Sequence, residues 1–220
     1  MGDILADYDV LGAVLTTIEL SLLGALGAFV LGTFVAVLRV SPVPVLRGLG
    51  TLYVNTFRNT PLTLLMVASV LGLSFILGLQ ISPDFARNAF WWAVIMLAVY
   101  HAAFVCEAIR SGINTVPVGQ AEAARSIGLN FGQSLGQVIL PQALRGSVAP
   151  LGSVFIALCK NSTVAAVIGV TDSAGLLQKI TENEGSNLLV FFFFAMVFVV
   201  LTLPVGLWTT SLSRKLAVKR

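Results

Sequence analysis

Between Leu188 and Trp208 the chain reads LLVFFFFAMVFVVLTLPVGLW, 21 residues without one charged or histidine side chain. A helix of about 20 mostly apolar residues crosses the hydrocarbon core of a bilayer, and a soluble domain rarely hides so long a run. The stretch therefore dictates a membrane-spanning helix. Similar runs recur, and the same length rule places spans near 12–38, 52–79, 88–110, 147–170 and 188–212. Barrel strands would instead alternate apolar and polar residues in short segments. The expected fold class is all-α: a polytopic membrane protein of about five transmembrane helices, forming one domain over 1–220.

Composition agrees with that reading. Hydrophobic residues make up 57% of the chain and charged ones 10%, against about 25% charged in soluble domains. A net charge of +3 would suit a nucleic-acid partner only if the basic residues shared a face. They are scattered over loops and flanks, so no nucleic acid is expected. Cys106 and Cys159 fall inside spans, which favours packing roles over a disulfide. No Cys, His and carboxylate set has metal-ligand spacing, so neither a metal site nor a catalytic group is expected.

Basic residues also orient the chain. Arg39, Arg47, Arg58, Arg110, Arg125, Arg145, Arg214, Lys215, Lys219 and Arg220 fall on one side of the spans. The other side holds Arg87 and Lys179 with Asp3, Asp7, Asp9, Asp84, Asp172, Glu182 and Glu184. Cytoplasmic loops carry the Lys and Arg excess. The N-terminus is thus expected outside, the C-terminus in the cytoplasm, and the protein in the cell membrane with the lipid bilayer as its surroundings. In the first span Gly24, Ala28, Gly32 and Ala36 form a small-residue stripe, more suited to packing within the chain than to a second subunit. Glu19, inside the same span, reads as a snorkelling or hydrogen-bonded carboxylate near the outer interface.

One cytoplasmic segment, GQAEAARSIGLNFGQSLGQVILPQALR at 119–145, is too polar for lipid and too short to fold alone. Its alanines favour a short helix, Gly128 permits a sharp turn, and a second short helix is expected from Phe131, ending before Pro141. Two such helices need a partner groove. Within the segment, Glu122, Ala123 and Ala124 are followed by three residues, Gly128, nine residues, and Val138-Ile139-Leu140-Pro141. That order resembles the EAA loop of ABC importer permeases, EAA-x3-G-x9-I-x-L-P, with Val138 in place of isoleucine. RNTPL from Arg58 and EAIRSGINTVPVGQAEAA from Glu107 are similar to signatures of the polar amino-acid permeases. LPQALR and KNST follow in order, so the likeness covers nearly the whole chain and points to the glutamate-uptake permeases of actinobacterial type.

The resemblance implies a type I ABC importer permease fold whose coupling helix, around Glu122, Ala123, Ala124 and Gly128, docks on an ATP-binding subunit. It implies as partners two ATP-binding subunits, an extracytoplasmic substrate-binding protein and a second permease subunit, expected to be an unlike relative. No G-x4-G-K-[ST] run occurs, so no cofactor is expected here: ATP and Mg belong to the partners, and this chain is not itself an enzyme.

Intramembrane polar clusters are functional candidates by default. Lys160, Asn161, Ser162 and Thr163 suggest a locally broken fourth span, with Pro150 a second weak point, whose freed groups hold an amino acid. Relatives often carry Asp at the position of Asn161, and the neutral amide here would favour an anionic or neutral substrate, glutamate first. Arg58 and Thr60, just before Pro61, are further substrate-binding candidates, although Arg58 could equally anchor at headgroups. Glu107 and Arg110, three apart on a helix, read as a structural ion pair or gate element. The single histidine, His101, reads as a hydrogen bond between helices rather than a proton relay. An ion-coupled secondary transporter would show two similar halves, which are not evident, and a non-transporting scaffold leaves the KNST cluster without a purpose. An importer for another polar amino acid, such as glutamine, is the nearer alternative.

Overall fold

The computed structural model describes residues 7–216. Asp3, Lys219 and Arg220, counted in the charge asymmetry above, lie outside the described residues. Helix α1 (Val10–Val40) starts at Asp9, whose side chain accepts from the Gly12 amide at 2.8 Å. Helices α2 (Pro44–Arg58) and α3 (Leu62–Val67, continuing as a π-helix over Ala68–Ile76) form a bent pair. Helix α4 (Phe85–Ile113) follows, then the short α5 (Val118–Ser126) and α6 (Phe131–Gln133). A π-helical stretch, Ser134–Ile139, leads from α6 into α7 (Leu140–Asn161), which passes into a 3-10 helix, Ser162–Ile168. Helices α8 (Ser173–Glu184) and α9 (Leu188–Leu216) complete the described chain.

Helices α1 and α4 pack along most of their lengths, α7 lies against α4, and α9 lies outside α7. The small-residue stripe makes the first contact possible. Gly24, Ala28, Gly32 and Ala36 are all buried, and a Cβ on Gly32 would sit 2.6 Å from Val105 Cβ and 2.7 Å from the Ala102 carbonyl oxygen. Packing within the chain is therefore what the stripe does, as its spacing suggested. Lipid is as apolar as leucine, so such close backbone approach, not apolar burial alone, holds these helices together. One core cluster gathers Leu20, Met66, Trp92, Leu97 and Ala165 around the 3-10 segment. A second gathers Val35, Val54, Val105, Ile109 and Leu158. Helix α9 is mostly exposed, Phe191 and Phe192 included. Glu19 is exposed on α1 beside Leu15, Leu22 and Leu23.

Three expectations need correction. The second span is not one helix over 52–79: α2 and α3 meet at 98° across Asn59–Pro61. Pro61 has no N–H to continue the ladder and pushes Thr60 out of helical geometry. Asn59 Nδ2 and Thr60 Oγ1 then donate to the Asn55 and Thr56 carbonyls at 2.7 and 2.8 Å, satisfying the helix end. Second, the helix starting at Phe131 does not end before Pro141. The wider π turn leaves room for the proline ring, Gln142 Nε2 donates to the Val138 carbonyl at 2.8 Å, and the helix runs on. Third, α7 is not broken at Pro150 or Lys160. It stays α-helical to Asn161 and then tightens. Ser162 and Thr163 hydroxyls donate to the Cys159 and Lys160 carbonyls, both at 2.8 Å, and Gly169, at φ +86°, ends the 3-10 stretch.

Candidate functional site

Successive residues of an α-helix point about 100° apart, and this separates the KNST cluster. Asn161 faces α4 and lines a cavity of about 390 Å³ with Tyr100, His101, Phe104, Ser153 and Ala157. Lys160 turns into a separate, larger groove between α7 and α9, shared with Thr202, Ser211 and Arg214. Ser162 is buried and Thr163 is spent on the Lys160 carbonyl. The four side chains expected at one site thus fall into at least two.

The cavity has a fixed polar wall. His101, 1% exposed, places Nδ1 3.0 Å from the Leu97 carbonyl and Nε2 3.1 Å from Asn161 Nδ2. That is the bridge between helices expected of a lone intramembrane histidine. Beside the imidazole on α4 the wall is aromatic: Tyr100 lies 5.1 Å from it, ring centre to ring centre, and Phe104 lies 5.2 Å from Tyr100. The Arg58 guanidinium sits 5.5 Å from the centre of the Phe104 ring, at the bend between α2 and α3.

Arg58 also belongs to an ion cluster. Glu107 Oε2 accepts from Arg110 Nε and Nη2 at 3.0 and 2.8 Å, while Oε1 pairs with Arg39 and lies 3.8 Å from Arg58 Nη1. One carboxylate therefore ties α1, α2 and α4 together. The i, i+3 spacing foretold the Arg110 pair. Arg39 occupies the last turn of α1, at the edge of the first loop between spans. Nothing local in the sequence links it to a glutamate 68 residues away. Tyr100, Phe104 and Ser153 were likewise missed, because they are ordinary span residues until α4 and α7 are packed.

In the 119–145 segment, α5 carries Glu122 and Ala123 exposed, while buried Ala124 faces inward. Gly128 stands at φ +88° with open space around it, so it is backbone conformation rather than crowding that calls for glycine there. Asn130 and Gln133 close a reciprocal capping box at the start of α6. Val118, Ile127 and Phe131 project their apolar side chains outward around this elbow, 73%, 78% and 43% exposed. The fold and this elbow can now be set beside known proteins. Residues 11–218 match the family described as "Binding-protein-dependent transport system inner membrane component".

The chain belongs to that family. It is 48% identical to "Glutamate transport system permease protein GluC" of Corynebacterium glutamicum, covering 93% of this chain and 92% of the relative. Against "Probable glutamine ABC transporter permease protein GlnM" of Bacillus subtilis it is 37% identical, covering 91% and 89%. Among solved structures, an amino acid ABC transporter crystallised with histidines superposes with a TM-score of 0.81 at 28% identity, covering 94% of this chain and 93% of that one. The architecture is that of a type I ABC importer permease. As a member of this family, the chain is a membrane component of a transport system, and its apolar helices cross the bilayer.

Proposed function

We propose that this chain is one permease subunit of an ATP-driven importer for L-glutamate, working by alternating access. The observation that carries the transport reading is one continuous helical path. It begins at Phe131 beside the exposed elbow and reaches Asn161 at the cavity wall, with a 3-10 extension to Ile168. A push on the elbow is thereby delivered to the cavity through a single stiff element. Glu122, Ala123 and Gly128 lie on the docking surface for an ATP-binding subunit, and buried Ala124 seats that helix against the rest of the chain. ATP and Mg belong to two such subunits, and this chain hydrolyses nothing itself. An extracytoplasmic binding protein delivers the substrate, and a second, unlike permease subunit completes the path.

The proposed orientation keeps the N-terminus outside. In its support, α1 begins beside the acidic end, where Tyr8 contacts Glu184, and ends at the arginine cluster. Asn161 is the proposed substrate contact in the cavity, with Arg58 and Thr60 at the bend, while Lys160 faces the groove between α7 and α9 and Ser162 and Thr163 open the 3-10 segment. Glu107 and Arg110 brace the gate below. Glutamate is supported by the relative from Corynebacterium and by the neutral amide at Asn161, which adds no negative charge against an anionic side chain. Glutamine is the second reading, supported by the Bacillus relative.

Reconstitution in proteoliposomes with the ATP-binding subunits, second permease and binding protein tests this. Glutamate should stimulate ATP hydrolysis and enter the vesicles. Asn161→Leu should cut glutamate uptake roughly tenfold, the scale of a lost hydrogen bond to a charged group. Uptake that ignores this substitution removes Asn161 from the site. Uptake with no ATPase present ends the importer reading altogether.

A further inference from the structure

The His101–Asn161 contact fixes more than helix packing. A backbone carbonyl can only accept, so the 3.0 Å contact to Leu97 requires the proton of the imidazole to sit on Nδ1. In the neutral ring Nε2 is then bare, and it takes an N–H from the Asn161 amide 3.1 Å away. No carboxylate reaches the ring among the described residues, so nothing there favours the doubly protonated form. With its nitrogen held by His101, the Asn161 amide has its oxygen turned away from the ring. That oxygen accepts no hydrogen bond among the described residues, and its side chain lines the cavity. An Asn without this anchor could present either end of its amide. Here the choice is made by the histidine.

We propose that His101 is a positioning residue that locks the Asn161 amide with Oδ1 toward the cavity, where it accepts the ammonium group of a zwitterionic amino acid. The inference rests on the transport reading above and adds which end of the substrate Asn161 meets. The surroundings suit an ammonium group. Tyr100 brings to the cavity an aromatic ring, a group that attracts cations, while the Arg58 guanidinium, outside the cavity lining and 5.5 Å from the Phe104 ring centre, is left for the substrate's carboxylates. An amide oxygen also receives an ammonium without placing a full negative charge near an acidic side chain. One pair thus serves the part of the substrate that every amino acid shares and still tolerates an anionic one.

His101 is the only histidine in the chain, which makes it a clean spectroscopic probe. Solid-state nitrogen NMR on the assembled complex in lipid, with isotope-labelled histidine in this subunit alone and a histidine-free tag, reads the tautomer directly. A protonated Nδ1 and a bare, hydrogen-bonded Nε2 are expected, and Asn161→Leu should remove the hydrogen-bond shift at Nε2. L-glutamate should perturb Nε2 through the amide, whereas glutarate, the same chain without the ammonium, should not. In uptake at saturating binding protein, His101→Leu and Asn161→Leu should each slow transport roughly tenfold, with no further loss in the double variant. His101→Gln, which can still accept from the amide, should recover most of the rate. Each variant is compared at equal amounts of assembled complex, read by gel filtration. An Nε2-protonated ring, an equal response to glutarate, additive losses or no recovery by glutamine each overturns the proposal. Absence of amino-acid-stimulated hydrolysis in the wild type would instead sink the transport reading and leave the tautomer result standing.

Discussion

Asp172 shows what one side chain can do to a whole profile. It caps α8, taking the Gly175 amide on Oδ1 at 2.9 Å, yet the residue is fully buried and Oδ2 has no hydrogen-bond partner among the described residues. Burial pushes its pKa up from 3.8 to about 6, against the smaller opposing pull of the Gly175 and Ala174 amides. A carboxyl whose value is higher folded than unfolded binds protons more tightly in the native state. Its contribution is therefore complete below pH 4 and disappears as pH rises through about 6. Wild-type protein should lose roughly 2–3 kcal/mol of stability across that window from this group alone. Asp172→Asn keeps the cap and removes the titration. Thermal melts of the two proteins between pH 4 and 7 should converge at the acid end, with the variant the more stable at neutral pH. Parallel profiles would show that Asp172 ionises freely in the folded chain. In sequence this residue was one acid in a charge count. Its burial comes from the docking of α8 on α1, where Thr17 Oγ1 and Ser173 Oγ lie 2.8 Å apart, a contact across 156 residues.

At the scale of elements, what could be read in the sequence was whatever depends on a short stretch alone. Spans α1, α4 and α9 follow from apolar length and the elbow from Gly128, whereas the 98° turn at Pro61 falls inside what the apolar run alone presents as one span over 52–79. Continuation past Pro141 was not legible, because whether a proline ends a helix depends on a π turn that local preference does not announce. The Gly128 elbow makes a clean prediction. A residue with a Cβ at φ +88° is strained, by about 1–2 kcal/mol for most types, whereas asparagine tolerates the left-handed region. Gly128→Asn should therefore couple nearly as wild type. Gly128→Val, branched at Cβ, should disturb the elbow and reduce transport per ATP hydrolysed, while binding-protein affinity is unchanged. The ratio of uptake to hydrolysis in proteoliposomes checks both. Equal ratios in wild type, Asn and Val variants would show that the elbow's shape is irrelevant to coupling.

For the whole molecule, the question is how the elbow and the cavity move as one. The helical path from Phe131 to Asn161 crosses α4 near its own middle, and there the two backbones are close. A Cβ on Gly146 would lie 2.7 Å from Thr115 Oγ1, with Gly112 Cα next at 3.5 Å. In the importer proposed above, this crossing would serve as the fulcrum, since packed interfaces switch between arrangements more readily than they stretch. The elbow forms one arm of the lever and Asn161 ends the other, while Glu107 with Arg39, Arg58 and Arg110 ties down the helices around it. Gly146→Ala should then wedge the fulcrum: basal ATP hydrolysis persists while uptake falls severalfold, on the scale of about 1–3 kcal/mol for overpacking. The obstruction is a single hydroxyl, so Thr115→Ala in the same chain should restore uptake. It should do so without restoring anything to Gly128→Val, whose defect lies on the arm and not at the crossing. If Thr115→Ala left the Gly146→Ala defect untouched, α7 would not pivot on α4. Force would then have to reach Asn161 by some route other than the helix that begins at Phe131.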